Sequence, residues 1–296
     1  MSDPRLVLFA ALGLIAIGYL SVWLKSMRDR FPLPTFLGTG IGFVTNFFDT
    51  LGIGSYAPTT ALYRFFKLVP DEKIPGTMNV GHTAPTITQA FIFIAIVTVE
   101  FTTLVVLIAA AMAGAWLGAG VVAGLPKRKI QIGMGGALLV AATLFTLTNL
   151  GVIPGGGDAI ALTGGKLVAG VVGNFVLGSL MTLGIGLYGP SLIMIALLGM
   201  NPTVGFPIMM GSCAFLMPLA SVRFLKAGAY EPRPAVGLSL GGLPAVLLAA
   251  FLVKSLPLQT VRWLVIVVVL YAAFGLLKAG IAKAGAKPPP PVSRNP

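Results

Sequence analysis

Formal charge is confined to a few short islands along this chain, and the stretches between them are apolar. Residues 74–99, 101–126, 130–157, 167–222, 234–253 and 263–277 carry no charged side chain, and between residues 31 and 63 the only charge is Asp49. A helix of roughly 20 apolar residues suffices to cross a bilayer. Runs of that length predict full spans at about 6–24, 75–98, 101–124, 130–149, 203–222, 235–253 and 260–279. Regions 36–66 and 167–199 are also apolar, but glycine and proline interrupt each near its middle, which predicts two broken helices.

Composition agrees with a lipid-facing surface. Only 9% of the 296 residues are charged and 56% are hydrophobic, whereas a soluble domain carries about 25% charged residues. The net charge of +12 does not point to nucleic acid, because the basic residues sit in short clusters between apolar runs, where they act as topology signals. The N-terminal apolar run is followed by Lys25, Arg28 and Arg30, the reverse of a signal peptide, so it reads as a retained span. The single cysteine, Cys213, lies in an apolar run and allows neither a disulfide framework nor a cysteine-based metal site within one chain. Residues 288–291 are all proline, so the tail from 282 onward reads as an extended or disordered cytoplasmic terminus.

The two broken regions repeat one motif. TLGIGSYAPTTALY at 50–63 and TLGIGLYGPSLIMI at 182–195 match at seven of fourteen positions with a constant offset of 132, including two glycines, a tyrosine and a proline. The same offset pairs Pro75 with Pro207 and Met78 with Met210. The chain therefore reads as an N-terminal span and loop (1–32), repeat 1 (33–149), an extracytoplasmic connector (150–164), repeat 2 (165–281) and the tail (282–296). Duplicated units with corresponding Gly/Pro interruptions mark the binding sites of secondary transporters.

Basic residues choose between two topologies. If each broken segment enters and leaves on one side, as a re-entrant hairpin, sixteen of the twenty Lys and Arg residues fall on one face. Only Arg5, Lys166, Lys254 and Arg262 fall on the other. If each segment crosses fully, the clusters scatter over both faces. The positive-inside rule favours the hairpins. The fold class is then an all-α polytopic membrane protein with two inverted repeats, each a hairpin plus three spans, and one extra N-terminal helix.

A break in the membrane is tolerated only inside protein or around a watery cavity. Gly52, Gly54, Gly184 and Gly186 let the backbone leave helical geometry and approach a ligand. Pro58 and Pro190 suit the first turn of a restarting helix. Ser55, Thr59, Thr60 and Ser191 add hydroxyl groups there. Two half-helix N-termini with exposed N–H groups form an anion site without a formal cation. Asn46 and Asn174 either line that pocket or pack helices together. Asp49 and His82 are the candidate proton carriers, and Asp49 is read as protonated or paired, since a free carboxylate repels an anion. Gln89 lies two turns beyond His82, and Ser212 and Cys213 occupy the related place in the second unit. No metal-ligand spacing, nucleophile–base set or nucleotide-binding loop is present, so an enzyme or an ATP-driven pump is not expected, nor any cofactor.

At GIGFVTNFFDTLGIGSYAPTTALY and GNFVLGSLMTLGIGLYGPSLIMIALLGM, and in its repeat organisation, the chain resembles the TauE/SafE-type sulfite exporters of the sulfonate-uptake-permease group. It departs from their more Gly-rich motif with Ser55-Tyr56 and Leu187-Tyr188, and it adds Asp49. The resemblance implies a bacterial inner-membrane permease for sulfite, an organosulfonate or a related sulfur oxyanion. Proton coupling is implied as well; the anion, the bilayer and protons are the expected partners, and a homodimer is left open.

Overall fold

The computed structural model describes residues 4–28, 31–122, 125–152, 157–184, 186–252 and 258–282. Ile185, Arg30, Lys254 and the proline-rich tail lie outside them. Among the described residues eleven helices run in the order α1 (Pro4–Ser26), α2 (Phe36–Thr50), α3 (Tyr56–Phe65), α4 (Ile74–Ile96), α5 (Phe101–Val122), α6 (Lys127–Asn149), α7 (Gly164–Met181), α8 (Tyr188–Leu197), α9 (Gly205–Lys226), α10 (Pro232–Leu252) and α11 (Leu258–Ala282). Short 3-10 turns at Asp71–Lys73 and Pro202–Val204 precede α4 and α9. The only β feature among the described residues is a single bridge between Ala159 and Met200.

Among the described residues six helices are long and apolar enough to cross a membrane: α1, α5, α6, α7, α9 and α10. Every expected span is a helix, and both expected breaks separate two shorter helices. The first half of the second broken region, α7, has 18 residues, about 27 Å at 1.5 Å per residue. α4 is long but carries a polar core of Asn79, His82, Thr83, Thr86 and Gln89, all buried. Its place inside the bundle permits that polarity: His82, Thr83 and Gln89 bond to side chains on neighbouring helices, and the Asn79 amide donates to the Pro75 carbonyl of α4 itself.

α4 and α9 cross at the centre. Phe93 stacks on Phe206 with centroids 5.3 Å apart, and the Thr83 and Ser221 hydroxyls lie 3.3 Å apart. α2 lies along α10, α7 along α5, and α6 along α11. The first two of these pairings are made by glycine. A Cβ on Gly42 would lie 2.6 Å from Leu238 Cα, and one on Gly118 would lie 2.7 Å from the Ser179 carbonyl oxygen. Lipid gives helices no hydrophobic reason to associate, so close backbone approach between small residues supplies the contact.

Pro85 interrupts α4, and lacking an N–H it leaves the Gly81 carbonyl without its helical donor. The Ser239 hydroxyl of α10 donates to that carbonyl at 2.6 Å. At the preceding residue, Tyr19 of α1 donates to the Val80 carbonyl at 2.6 Å, which docks α1 against the bundle.

Polar contacts gather the helix ends. Arg64 at the end of α3 pairs with Asp71 at 2.7 Å, and Gln131 of α6 donates to the same carboxylate at 2.8 Å. Lys73 pairs with Glu231 at 2.7 Å, and Arg233 donates to the Leu33 carbonyl before α2 at 2.8 Å. Away from these, Glu100 accepts from the Thr102 and Thr103 amides at the start of α5. The Leu162 amide donates to Thr103 Oγ1 at 3.1 Å, and the Asn201 amide donates to the Ala159 carbonyl at 2.9 Å.

Candidate functional site

α2 stops at Thr50 because the chain turns through two glycines with positive φ, +86° at Gly52 and +88° at Gly54. Gly184, the counterpart of Gly52, has φ +89°. Side chains other than glycine rarely tolerate this region. α3 and α8 then restart at Tyr56 and Tyr188 with no side-chain cap on either. Pro58 and Pro190 fall at the third helical position, where a missing N–H costs nothing, and regular bonding begins one residue later with Thr59 to Ser55 and Ser191 to Leu187.

The two breaks face each other. A Cβ on Gly54 would lie 3.8 Å from Tyr188 Cβ, and one on Gly186 would lie 3.6 Å from Tyr56 Cβ. Gly54, Tyr56, Gly186 and Tyr188 line two small cavities in common. One cavity is completed by apolar surface and Pro190, with Leu144 reaching in from α6. The other receives Asp49, Ser55, Thr86 and Cys213.

A hydrogen-bonded web joins the halves through Gln89. Its Nε2 donates to Asp49 Oδ2 and to Thr50 Oγ1, each at 2.9 Å. Its Oε1 accepts from the Tyr188 hydroxyl at 2.6 Å. One amide side chain therefore ties α2, α4 and α8 together. Replacing Gln89 by leucine leaves the Asp49 carboxyl and the Tyr188 hydroxyl each short of a buried partner. At about 1–3 kcal/mol for each orphaned group, the melting temperature in detergent is expected to fall by several degrees. An unchanged melting temperature would show the bridge to be idle.

Asp49 and His82 do not meet. The Asn46 Nδ2 donates to the Gly42 carbonyl at 2.7 Å, which turns its Oδ1 toward His82 Nδ1 at 3.0 Å. That geometry makes His82 Nδ1 the protonated nitrogen, and Nε2 then accepts from the Thr59 hydroxyl at 3.1 Å. Both ring nitrogens are spent on helix-to-helix bonds, and the ring lies 5.9 Å from that of Tyr56. Asn174 plays a similar packing role, donating to the Leu107 carbonyl at 2.7 Å and to Ser212 at 2.9 Å.

Of the residues singled out from the sequence, Asp49, Gly54, Ser55, Gly186 and Pro190 line the cavities. Gly52 faces Phe206, Gly184 faces Met134 and Met78, and Thr59 faces His82. Three buried polar atoms nearby have no hydrogen-bond partner: Tyr56 Oη, Asn174 Oδ1 and Ser191 Oγ. Tyr56 and Tyr188, which the sequence reading does not assign to the site, line both cavities. Their signal was present, since the repeated motif holds a tyrosine at the same place in both copies. Among the described residues no three His, Cys, Asp or Glu side chains converge as metal ligands.

The sequence model of the family described as Sulfite exporter TauE/SafE matches residues 2–145, just under half of the chain. No curated protein and no solved structure matches. The matched stretch contains the first break and ends within α6.

Proposed function

With the TauE/SafE family identified over residues 2–145, a family of membrane transporters rather than enzymes, we propose that this protein is a secondary transporter of a small sulfur-containing anion such as sulfite or an organosulfonate. The observation that carries the reading is the pair of uncapped helix starts, at Tyr56 and Tyr188, facing each other over shared cavities. The α8 start presents N–H groups without a side-chain cap and the positive end of a helix dipole, which is an anion site needing no cation, and the α3 start presents the same dipole beside Asp49.

Several contacts support re-entrant hairpins in inverted repeats. Arg233–Leu33 and Arg64–Asp71 draw both ends of the α2–α3 segment toward the start of α4. The Leu162–Thr103 and Asn201–Ala159 bonds draw both ends of α7–α8 toward the start of α5. The helix order and the pairings α2–α10 and α7–α5 exchange when the two units are exchanged. Arg64, Lys73, Arg128 and Arg233 gather at the end of the bundle where α4 begins, which on the positive-inside rule makes that end cytoplasmic. The anion site then lies near the bilayer midplane of a bacterial inner membrane, with the N-terminus outside.

Asp49 is the better proton carrier of the two candidates, because it borders a cavity and His82 does not. Asp49→Asn keeps an oxygen for Gln89 to donate to and removes the titration. It is expected to abolish accumulation driven by an imposed pH gradient while leaving anion exchange within about threefold of wild type. Wild-type accumulation in the variant would remove Asp49 from any proton role.

The deciding experiment is a proteoliposome flux panel of sulfite, sulfate, sulfoacetate, taurine and thiosulfate with internal pH recorded. Saturable flux with proton movement supports the transporter. Unsaturating current without proton movement replaces it with a passive anion channel through the same pore. Transport of none of the panel ends the sulfur-anion reading.

A further inference from the structure

The two helix starts are related by sequence but not by surroundings. At the α3 start a carboxyl is already in place: Asp49 borders the cavity, and both the backbone and the side chain of Ser55 face it. The counterpart of Asp49, 132 residues on, is Met181, an apolar side chain. The α8 start therefore has no built-in anion, and α8, at ten residues, is long enough to carry a dipole.

The tyrosines differ in the same sense. The Tyr188 hydroxyl is committed to Gln89 at 2.6 Å. Tyr56 is 3% exposed, and its hydroxyl has no partner. Tyr56, Cys213 and Asp49 border one cavity, which also holds Gly186, Leu187 and Tyr188 at the start of α8. A buried hydroxyl without a partner is costly, and one that borders a cavity can be completed by a ligand there. Ser191, in the first turn of α8, has a second hydroxyl in this condition.

Building on the transporter reading, we propose that the substrate is held asymmetrically, at the start of α8, with the Tyr56 hydroxyl reaching across from α3 as its side-chain donor. The class it takes is a singly charged oxyanion, a hydrogen sulfite or a sulfonate. Asp49 is the only charged residue bordering either cavity among the described residues. A helix start offers about half a positive charge, too little to hold a dianion next to a carboxyl. A monoanion satisfies the dipole, accepts from Tyr56 and, where it is protonated, donates its own proton toward Asp49.

The test compares Tyr56→Phe with Tyr188→Phe. Tyr56→Phe deletes a hydroxyl that makes no bond in the empty protein, so its melting temperature in detergent is expected to equal or exceed that of wild type. Its KM for sulfite uptake into proteoliposomes is expected to rise about tenfold or more, and the stabilisation that added sulfite gives wild type is expected to vanish. Tyr188→Phe strips Gln89 of a donor, so it is expected to melt lower while its KM shifts less. Sulfate is expected to compete at least tenfold more weakly than sulfite at pH 6. A wild-type KM in Tyr56→Phe, or a larger KM shift in Tyr188→Phe, overturns the assignment while leaving the transporter intact. Sulfate competing as well as sulfite overturns the charge class. Wild-type protein that neither binds nor moves any anion of the panel overturns both readings.

Discussion

Gly241→Leu is expected to leave no folded protein. Gly241 of α10 lies against the backbone of α2, where an added Cβ would strike the Thr39 carbonyl oxygen and come within 2.7 Å of the Phe43 nitrogen. The opposing glycine, Gly42, also lies against backbone, with an added Cβ 2.6 Å from Leu238 Cα. Overpacking normally costs about 1–3 kcal/mol because side chains can move aside. Here the obstacle is backbone on both sides, so the helices themselves must part. Parting them removes the hydrogen bond from Asn46 Nδ2 to Leu238 O and pulls on the Asn46–His82 bond beneath it. Size-exclusion chromatography after detergent extraction should show aggregate in place of the wild-type peak. Gly40→Leu is the control: it lies on α2 too, but nothing stands within 4 Å of its Cβ, so it should extract as wild type. A monodisperse Gly241→Leu would mean that the α2–α10 contact does not carry the fold.

Gly54→Leu is expected to abolish transport in a protein that still folds. At φ +88° a leucine backbone is strained, by about 1–3 kcal/mol, which a bundle of this size can absorb. Space is the larger effect. Gly54 borders both cavities and faces Tyr188 across the gap between the breaks. A leucine there fills the gap and covers the start of α8. Gly54→Ala separates the two effects, keeping the strain but adding only one methyl, and should retain a measurable fraction of flux. Proteoliposome uptake with a matched protein load checks both variants. Full activity in Gly54→Leu would move the site away from the breaks.

The helices were legible because their cause is local. Uncharged runs of about 20 residues predict spans wherever lipid excludes unpaired backbone. Residues 75–98, 101–124, 130–149 and 203–222 accordingly appear as α4, α5, α6 and α9. The breaks were legible for the same reason, since Gly52, Gly54 and Gly184 take positive φ as the motif requires. Roles within the site were less legible. Asp49 and His82, the two candidate proton carriers, lie on neighbouring helices, yet Asp49 bonds to Gln89 and His82 to Asn46 and Thr59. A one-residue rotation along a helix turns a side chain by about 100°, so which neighbour it meets depends on how the helices are rotated against each other. Nothing in the local sequence states that rotation.

The sequence by itself determined that this chain is a bundle of membrane-length helices with one broken motif used twice, because charge, hydropathy and glycine act over a single turn or a single span. Only the tertiary structure decided that the two breaks face each other, that Gln89 bridges them, and that Tyr188 is bonded while Tyr56 is free. Two copies of one motif receive different neighbours once they pack, and a hydroxyl's hydrogen-bonding partner is set by atoms about a hundred residues away in the chain (99 between Gln89 and Tyr188).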